Sequence, residues 1–128
     1  MDNQSFIILN LNASRIRNEN RIFNILNYIE SYEPFLVCIQ EIHISNALKV
    51  FSCKFQVFVN IDLDSKDGIG IVTLVKKGIK VSDSIIGLNG RIIGLKIKNI
   101  QLWNVYHFSG SENQKIGNFF LERLYVVI

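Results

Sequence analysis

Proline and cysteine are scarce in this chain: its 128 residues include one Pro and two Cys, with one Met and one Trp. Two cysteines are too few for a disulfide framework. Cys38 and Cys53 each lie in an apolar stretch, where the residue behaves as a small hydrophobe in a reducing compartment. No apolar run approaches the roughly 18 residues of a membrane span, and Met1-Asp2-Asn3-Gln4 lacks the basic start of a secretory signal. The chain is therefore expected to be soluble and intracellular, with no membrane partner. A dense Lys/Arg stripe is also missing, so the net charge of +3 helps approach to a polyanion without identifying one. Hydrophobic residues at 48% and charged residues at 20% exclude intrinsic disorder. The length suits one domain and leaves no room for a second core. There is no internal repeat, linker or low-complexity segment.

The apolar run at 6–9 ends in Asn10-Leu11-Asn12 and reads as a buried strand that turns polar at its C-terminal end. Asn18 is a candidate N-cap, and Ile22, Ile25, Leu26 and Ile29 repeat at helical spacing up to Glu33-Pro34. Residues 35–39 form a strand-length run closed by Gln40-Glu41, and 47–51 suit a short helix. Residues 55–59 read as a strand and 62–68 as a polar loop. Four more strands are expected at 69–75, 81–86, 91–97 and 100–106. Their hairpin-length separators predict an antiparallel meander and disfavour a doubly wound parallel sheet. Ser111 to Gln114 fits a capping box, with Ile116, Phe119, Phe120 and Leu124 on one helix face.

Asn10 and Asn12 leave the same face of a strand where it emerges from the core. Glu41 ends a buried strand, where a carboxylate is either solvated or held for a hard cation such as magnesium. Tyr106 closes the last strand of the meander before Ser109-Gly110. Each has an ordinary structural use: amides satisfy loop backbone, and a tyrosine packs with its hydroxyl wet. Lys76, Lys77 and Lys80 cluster at one turn, and Lys96 and Lys98 share a face by period two. Both groups suit a solvated edge that discourages strand aggregation.

In order, Ile8-Leu9-Asn10-Leu11-Asn12, Cys38-Ile39-Gln40-Glu41-Ile42-His43, Gly90-Arg91-Ile92-Ile93 and Asn104-Val105-Tyr106 with Ser109-Gly110 resemble the successive motifs of the endonuclease/exonuclease/phosphatase superfamily. Within it, the chain resembles most the apurinic-type endonuclease domain of non-LTR (LINE-type) retrotransposons. The resemblance implies an α/β two-sheet sandwich flanked by helices and a Mg²⁺-dependent phosphodiesterase, with Mn²⁺ as the alternative ion. It implies DNA as partner and no small-molecule cofactor. Glu41 matches the metal-binding glutamate, and Asn10 the asparagine that positions the metal and its carboxylate network. Asn12 falls near the cation, and Tyr106 matches the tyrosine that approaches the scissile phosphate. His43 matches a histidine common at this point of the family.

The departures are specific. No Asp-x-Asn triplet occurs, and Ser82-Asp83, the one Ser-Asp dipeptide, is followed by Ser84 in place of histidine. His107-Phe108 replaces the Ala-Pro usual after the tyrosine. The family's water-activating aspartate and phosphate-contacting histidine thus have no counterpart here. The expectation is a single incomplete domain, residues 1–128, with its C-terminal half missing and no activity of its own. A second sheet mostly absent would leave alternate Ile, Val and Leu of the meander exposed, with marginal stability or aggregation. The alternatives are a phosphatase-type member of the same superfamily and a noncatalytic remnant that binds nucleic acid or a protein.

Overall fold

The computed structural model describes residues 6–106 and 123–127. Strand β1 (Ile8–Ile16) leads through helix α1 (Glu19–Glu30) to a parallel neighbour, β2 (Leu36–His43). Helix α2 (Ile44–Phe51), strand β3 (Phe55–Ile61) and strand β4 (Ile69–Lys76) follow, and the first sheet has the order β1-β2-β4-β3. The chain then crosses to a second sheet of β5 (Asp83–Gly87), β6 (Ile92–Ile97), β7 (Ile100–Val105) and β8 (Arg123–Val127), paired antiparallel in that order. A kinked helical turn, α3 (Leu88–Arg91), joins β5 to β6.

The central strands of the first sheet are apolar on both sides because both sides are covered. Val37, Ile39, Ile42, Val72 and Leu74 face the helices, where Ile22, Leu26 and Ile29 of α1 and Ala47, Val50 and Phe51 of α2 meet them. Asn18 starts α1 as expected, its side chain accepting the Arg21 N–H at 3.1 Å. The alternate residues Leu36, Cys38, Ile71 and Val75 face the second sheet and pack on Ile93, Leu95, Ile97 and Leu102. The result is a helix layer and two sheets, with an apolar core in each of the two gaps. No helix among the described residues is long and apolar enough to cross a membrane.

Several expectations need correction. β4 does not open the meander, because its two edges are already taken by β2 and β3 and no edge remains for β5. The connection instead carries Ile79 and Val81 across to pack on the core between the sheets. Nor is the second sheet mostly absent. Four strands of it are present, and the inward residues Ile93, Leu95, Ile97 and Leu102 are at most 3% exposed. Within the described part of the second sheet, the large apolar residues left exposed are Ile85 and Ile86 of the β5 edge and Leu88 of its turn. Lys98 leaves the strand face of Lys96, lying in the β6–β7 turn at φ 55°. Cys53 is exposed at the end of α2, and both cysteines are free. Leu124, expected on a helix, lies in strand β8, while the capping box and the remainder of that helix fall outside the described residues.

Two outcomes follow from this packing. A Cβ added at Gly94 would lie 2.5 Å from Trp103 Cζ3 on the facing strand. Gly94→Ala should therefore cost about 1–3 kcal/mol in urea unfolding, with a smaller penalty in a Trp103→Ala background. Burial pushes the Cys38 thiol up to about 12, and its bond to Thr73 opposes this more weakly. At about pH 8 a disulfide exchange reagent should titrate one thiol, Cys53, in the native chain and both in denaturant. Because folding disfavours the Cys38 thiolate, its contribution to stability is intact below the ordinary thiol pKa of 9.0. That contribution is lost as pH rises from there to about 12.

Candidate active site

The ends of β1 and β2 are irregular in a coordinated way. Between β2 and β4 the register passes from Ile39↔Val72 to Ile42↔Gly70, so β2 holds one extra residue. Between β1 and β2 it passes from Asn12↔Gln40 to Ile16↔Ile42, so β1 holds two extra. The residues that absorb the difference have left-handed backbones: Glu41 at φ 56°, Ser14 at 52° and Arg15 at 63°. Each such non-glycine residue costs about 1–2 kcal/mol. The β2 bulge lets Ile39 and Ile42 both reach the helix-side core while Glu41 turns to a cleft at the strand ends.

That cleft is lined by Glu41, Arg15, Asp62, Ile69, Gly70, Asn89, Gly90, Arg91 and Tyr106. The half-buried Glu41 is held by Asn12, whose Nδ2 donates to Oε2 at 2.8 Å. Asn12 Oδ1 in turn accepts the Ser14 N–H at 2.7 Å, which ties the carboxylate to the β1 bulge. Asn10 lies one layer below. Its Oδ1 accepts from Gln40 Nε2 at 2.8 Å, and the same nitrogen donates to Asn104 Oδ1 of the second sheet at 3.0 Å. Asn104 Nδ2 then donates to Val72 O and Thr73 Oγ1, at 3.0 and 3.1 Å. Gln40 and Asn104 are buried, and Gln40 Oε1 finds no hydrogen-bond partner among the described residues. A polar plug between the sheets thus supports the cleft floor.

The other wall is built from turns. Asn60 Nδ2 donates to Gly87 O and Ile92 O, while its Oδ1 accepts the Gly90 N–H at 3.0 Å. Gly90 has φ 71°, and a Cβ there would come within 2.7 Å of Asp62. Asn89 Nδ2 donates to Asp62 Oδ1 and Asp64 Oδ2, and its Oδ1 accepts the Leu63 N–H. These contacts clamp loop 62–68 onto α3. Tyr106 is placed by its backbone N–H, which donates to Arg91 O at 2.8 Å.

Of the residues singled out in the sequence, Glu41 and Tyr106 line one cleft, Asn12 holds Glu41, and Asn10 lies beneath in the plug. His43 has a different place: it caps α2, its Nδ1 accepting the Asn46 N–H at 3.3 Å. His107 lies outside the described residues. Arg15, Asp62 and Asn89 of the cleft, and Asn60 and Asn104 behind it, were not among the sequence candidates. For Asn60 and Asn104 the available signal was an amide at an otherwise apolar strand position, which a buried strand tolerates only when the amide is bonded. Arg15 gave no such signal.

In sequence, the chain matches no protein-family model and no curated protein. In structure it is similar to TDP2 from Caenorhabditis elegans, with TM-score 0.53 and 13% identity over 76% of this chain and 32% of that one. It is also similar to D. rerio TDP2 complexed with single-strand DNA product, with TM-score 0.51 and 18% identity over 74% of this chain and 42% of that one. The fold is therefore an α/β two-sheet sandwich of the endonuclease/exonuclease/phosphatase type. The chain spans less than half the length of either protein.

Gln40→Met keeps the volume but leaves Asn10 Oδ1 and Asn104 Oδ1 without this donor. A loss of about 2–4 kcal/mol is expected, read as a lower urea midpoint at unchanged slope. A change below about 1 kcal/mol would show that the plug does not hold the sheets in register.

Proposed function

We propose that this chain carries the metal-side half of a divalent-cation-dependent phosphodiesterase site that acts on DNA, as in the endonuclease domains of LINE-type retrotransposons. The observation that carries the reading is the Asn12–Glu41 hydrogen bond, which presents a carboxylate at a strained bulge to a cleft shared with Tyr106. The shared fold with a protein complexed with single-strand DNA product supports nucleic acid as the substrate class.

The donor set fits a hard cation. Glu41 offers carboxylate oxygen, and among the described residues no group of three or more His, Cys, Asp or Glu gathers to form a closed cage. Such a site suits Mg²⁺ or Mn²⁺, bound through one or two carboxylates with water and substrate phosphate completing the shell. When bound, the ion supplies Lewis-acid neutralisation of phosphate charge. The chain's own residues supply the rest. Glu41 binds, and Asn12 fixes its rotamer. Asn12 Oδ1 is engaged by Ser14 N–H, so in this arrangement its amide positions Glu41 more directly than it offers oxygen to a cation. Gln40 holds Asn10 at the floor. The Tyr106 phenol donates a hydrogen bond to the phosphate as negative charge grows on it.

Asp-x-Asn and Ser-Asp-His motifs do not occur in these 128 residues. Residues 1–128 therefore bind the cation without activating water for attack, because general-base and phosphate-binding groups each contribute orders of magnitude in rate. The second reading is a noncatalytic remnant, which has no need of a Glu41-dependent metal site.

Calorimetric titration with Mn²⁺ should give binding that Glu41→Gln abolishes and Asn12→Ala weakens roughly tenfold. Incubation with supercoiled plasmid and Mg²⁺ should give no nicks. Metal affinity unchanged by Glu41→Gln would sink the site assignment, and robust wild-type nicking would sink the inactivity.

A further inference from the structure

Beside the cleft, where β1 leaves the first sheet, two guanidinium groups share one carboxylate. Arg15 Nη2 lies 3.2 Å from Asp67 Oδ2, and Arg17 Nη1 lies 3.5 Å from Asp67 Oδ1. All three side chains are half or more exposed. The arrangement is built. The two extra residues of β1 turn Arg15 into the cleft lining, and Asn46 Nδ2 anchors the Arg17 carbonyl at 2.6 Å. Asp67 reaches them from loop 62–68, the loop that Asn89 clamps to the opposite wall. Three charged groups thus leave one net positive charge, extending from the Glu41 cleft to the outer edge of β1. Of the three, Arg15 lines the cleft, together with Arg91.

We infer that Arg15 and Arg17 form a binding subsite for the phosphodiester backbone of a nucleic-acid strand, at a phosphate other than the one facing Glu41, with Asp67 as the internal anion that the phosphate displaces. The inference deepens the proposed function and rests on it for the direction of the strand. A planar guanidinium pairs with two oxygens of a phosphate as it does with those of a carboxylate, so exchanging Asp67 for phosphate keeps the geometry while adding charge. An exposed pair of this kind is weakly held, which lets a polyanion compete for it. The strained backbone at Ser14 and Arg15 is the kind of feature found at ligand clamps. An acidic peptide would meet the same charges. The subsite's continuity with a cleft that suits phosphate favours nucleic acid.

The test is fluorescence anisotropy of a labelled single-stranded oligodeoxynucleotide with the intact chain in EDTA, over a series of salt concentrations. Arg15→Gln and Arg17→Gln should each weaken binding several-fold and lower the salt slope by about 0.7 per guanidinium removed. Arg15→Lys should recover part of the affinity. Asp67→Asn should strengthen binding by up to roughly fivefold, since the competing carboxylate is gone. The side chains are exposed, so circular dichroism melts should be unchanged and a folding defect is recognisable as such. Unchanged affinity in both arginine variants, or weaker binding by Asp67→Asn, overturns the inference. So does equal affinity for a labelled polyglutamate, or binding of inorganic phosphate with none of the oligonucleotide. Because EDTA removes the cation, this outcome is independent of the Glu41 titration, and either result can fail without the other.

Discussion

The buried amide of Gln40 holds the cleft end of the molecule together. It sits fully buried between two sheets, and its nitrogen reaches Asn10 on one sheet and Asn104 on the other. An unpaired amide in that position costs more than a bonded one gains, so the geometry of the two bonds restricts how the sheets can slide. β1, β2 and β7 are thereby fixed relative to one another at the level where Glu41 and Tyr106 emerge. Lower in the sandwich the same gap is filled by Leu36, Cys38, Ile71, Ile93 and Leu95, which pack without directional demands. Orientation comes from the polar end, and most of the burial energy comes from the apolar one.

Local strain and local support meet at that end. Ser14, Arg15 and Glu41 adopt backbones that side-chain-bearing residues disfavour, and the network around them compensates. Asn12 bonds both Glu41 and the Ser14 amide, and a regular strand would bring those two groups together less readily. Across the cleft, Asn60 and Asn89 perform the corresponding task for turns: Asn60 bonds the backbone of β5, α3 and β6, and Asn89 ties α3 to backbone and carboxylate groups of loop 62–68. Three short amides therefore brace a cleft whose walls come from loops and whose floor comes from strands.

Periodicity made much of the fold readable in advance. The run Leu36 to Ile39 and the helical spacing of Ile22, Leu26 and Ile29 are direct records of what each face touches, and both sit where expected. The partner of each strand was less readable. Short separators suggested that β4 pairs with β5, yet β3 had already claimed that edge, and such competition between distant segments leaves no local trace. The clustering of Glu41, Asn12 and Tyr106 was implied by the family resemblance, each residue alone having an ordinary structural use. The bulges did not, because Ser, Arg and Glu carry none of the Gly or Asn signature that marks a left-handed backbone. Arg15 was overlooked for that reason: its direction depends on a backbone turn that its sequence neighbourhood does not announce.

The two sheets also differ in how far along the chain their neighbours lie. In the second sheet β6 returns as β7 through a turn of two residues, Lys98 and Asn99, and β5 reaches β6 through α3. In the first, Asn10 waits for Cys38, and Cys38 for Thr73. Loop-closure entropy is small for the former and large for the latter. The β5-β6-β7 hairpins are accordingly the segment able to assemble early and locally, offering a ready surface on which the slower, nonlocal sheet condenses. The cleft, which draws on β1, β2, β4 and the turn between β5 and β6, is complete only when both sheets have formed.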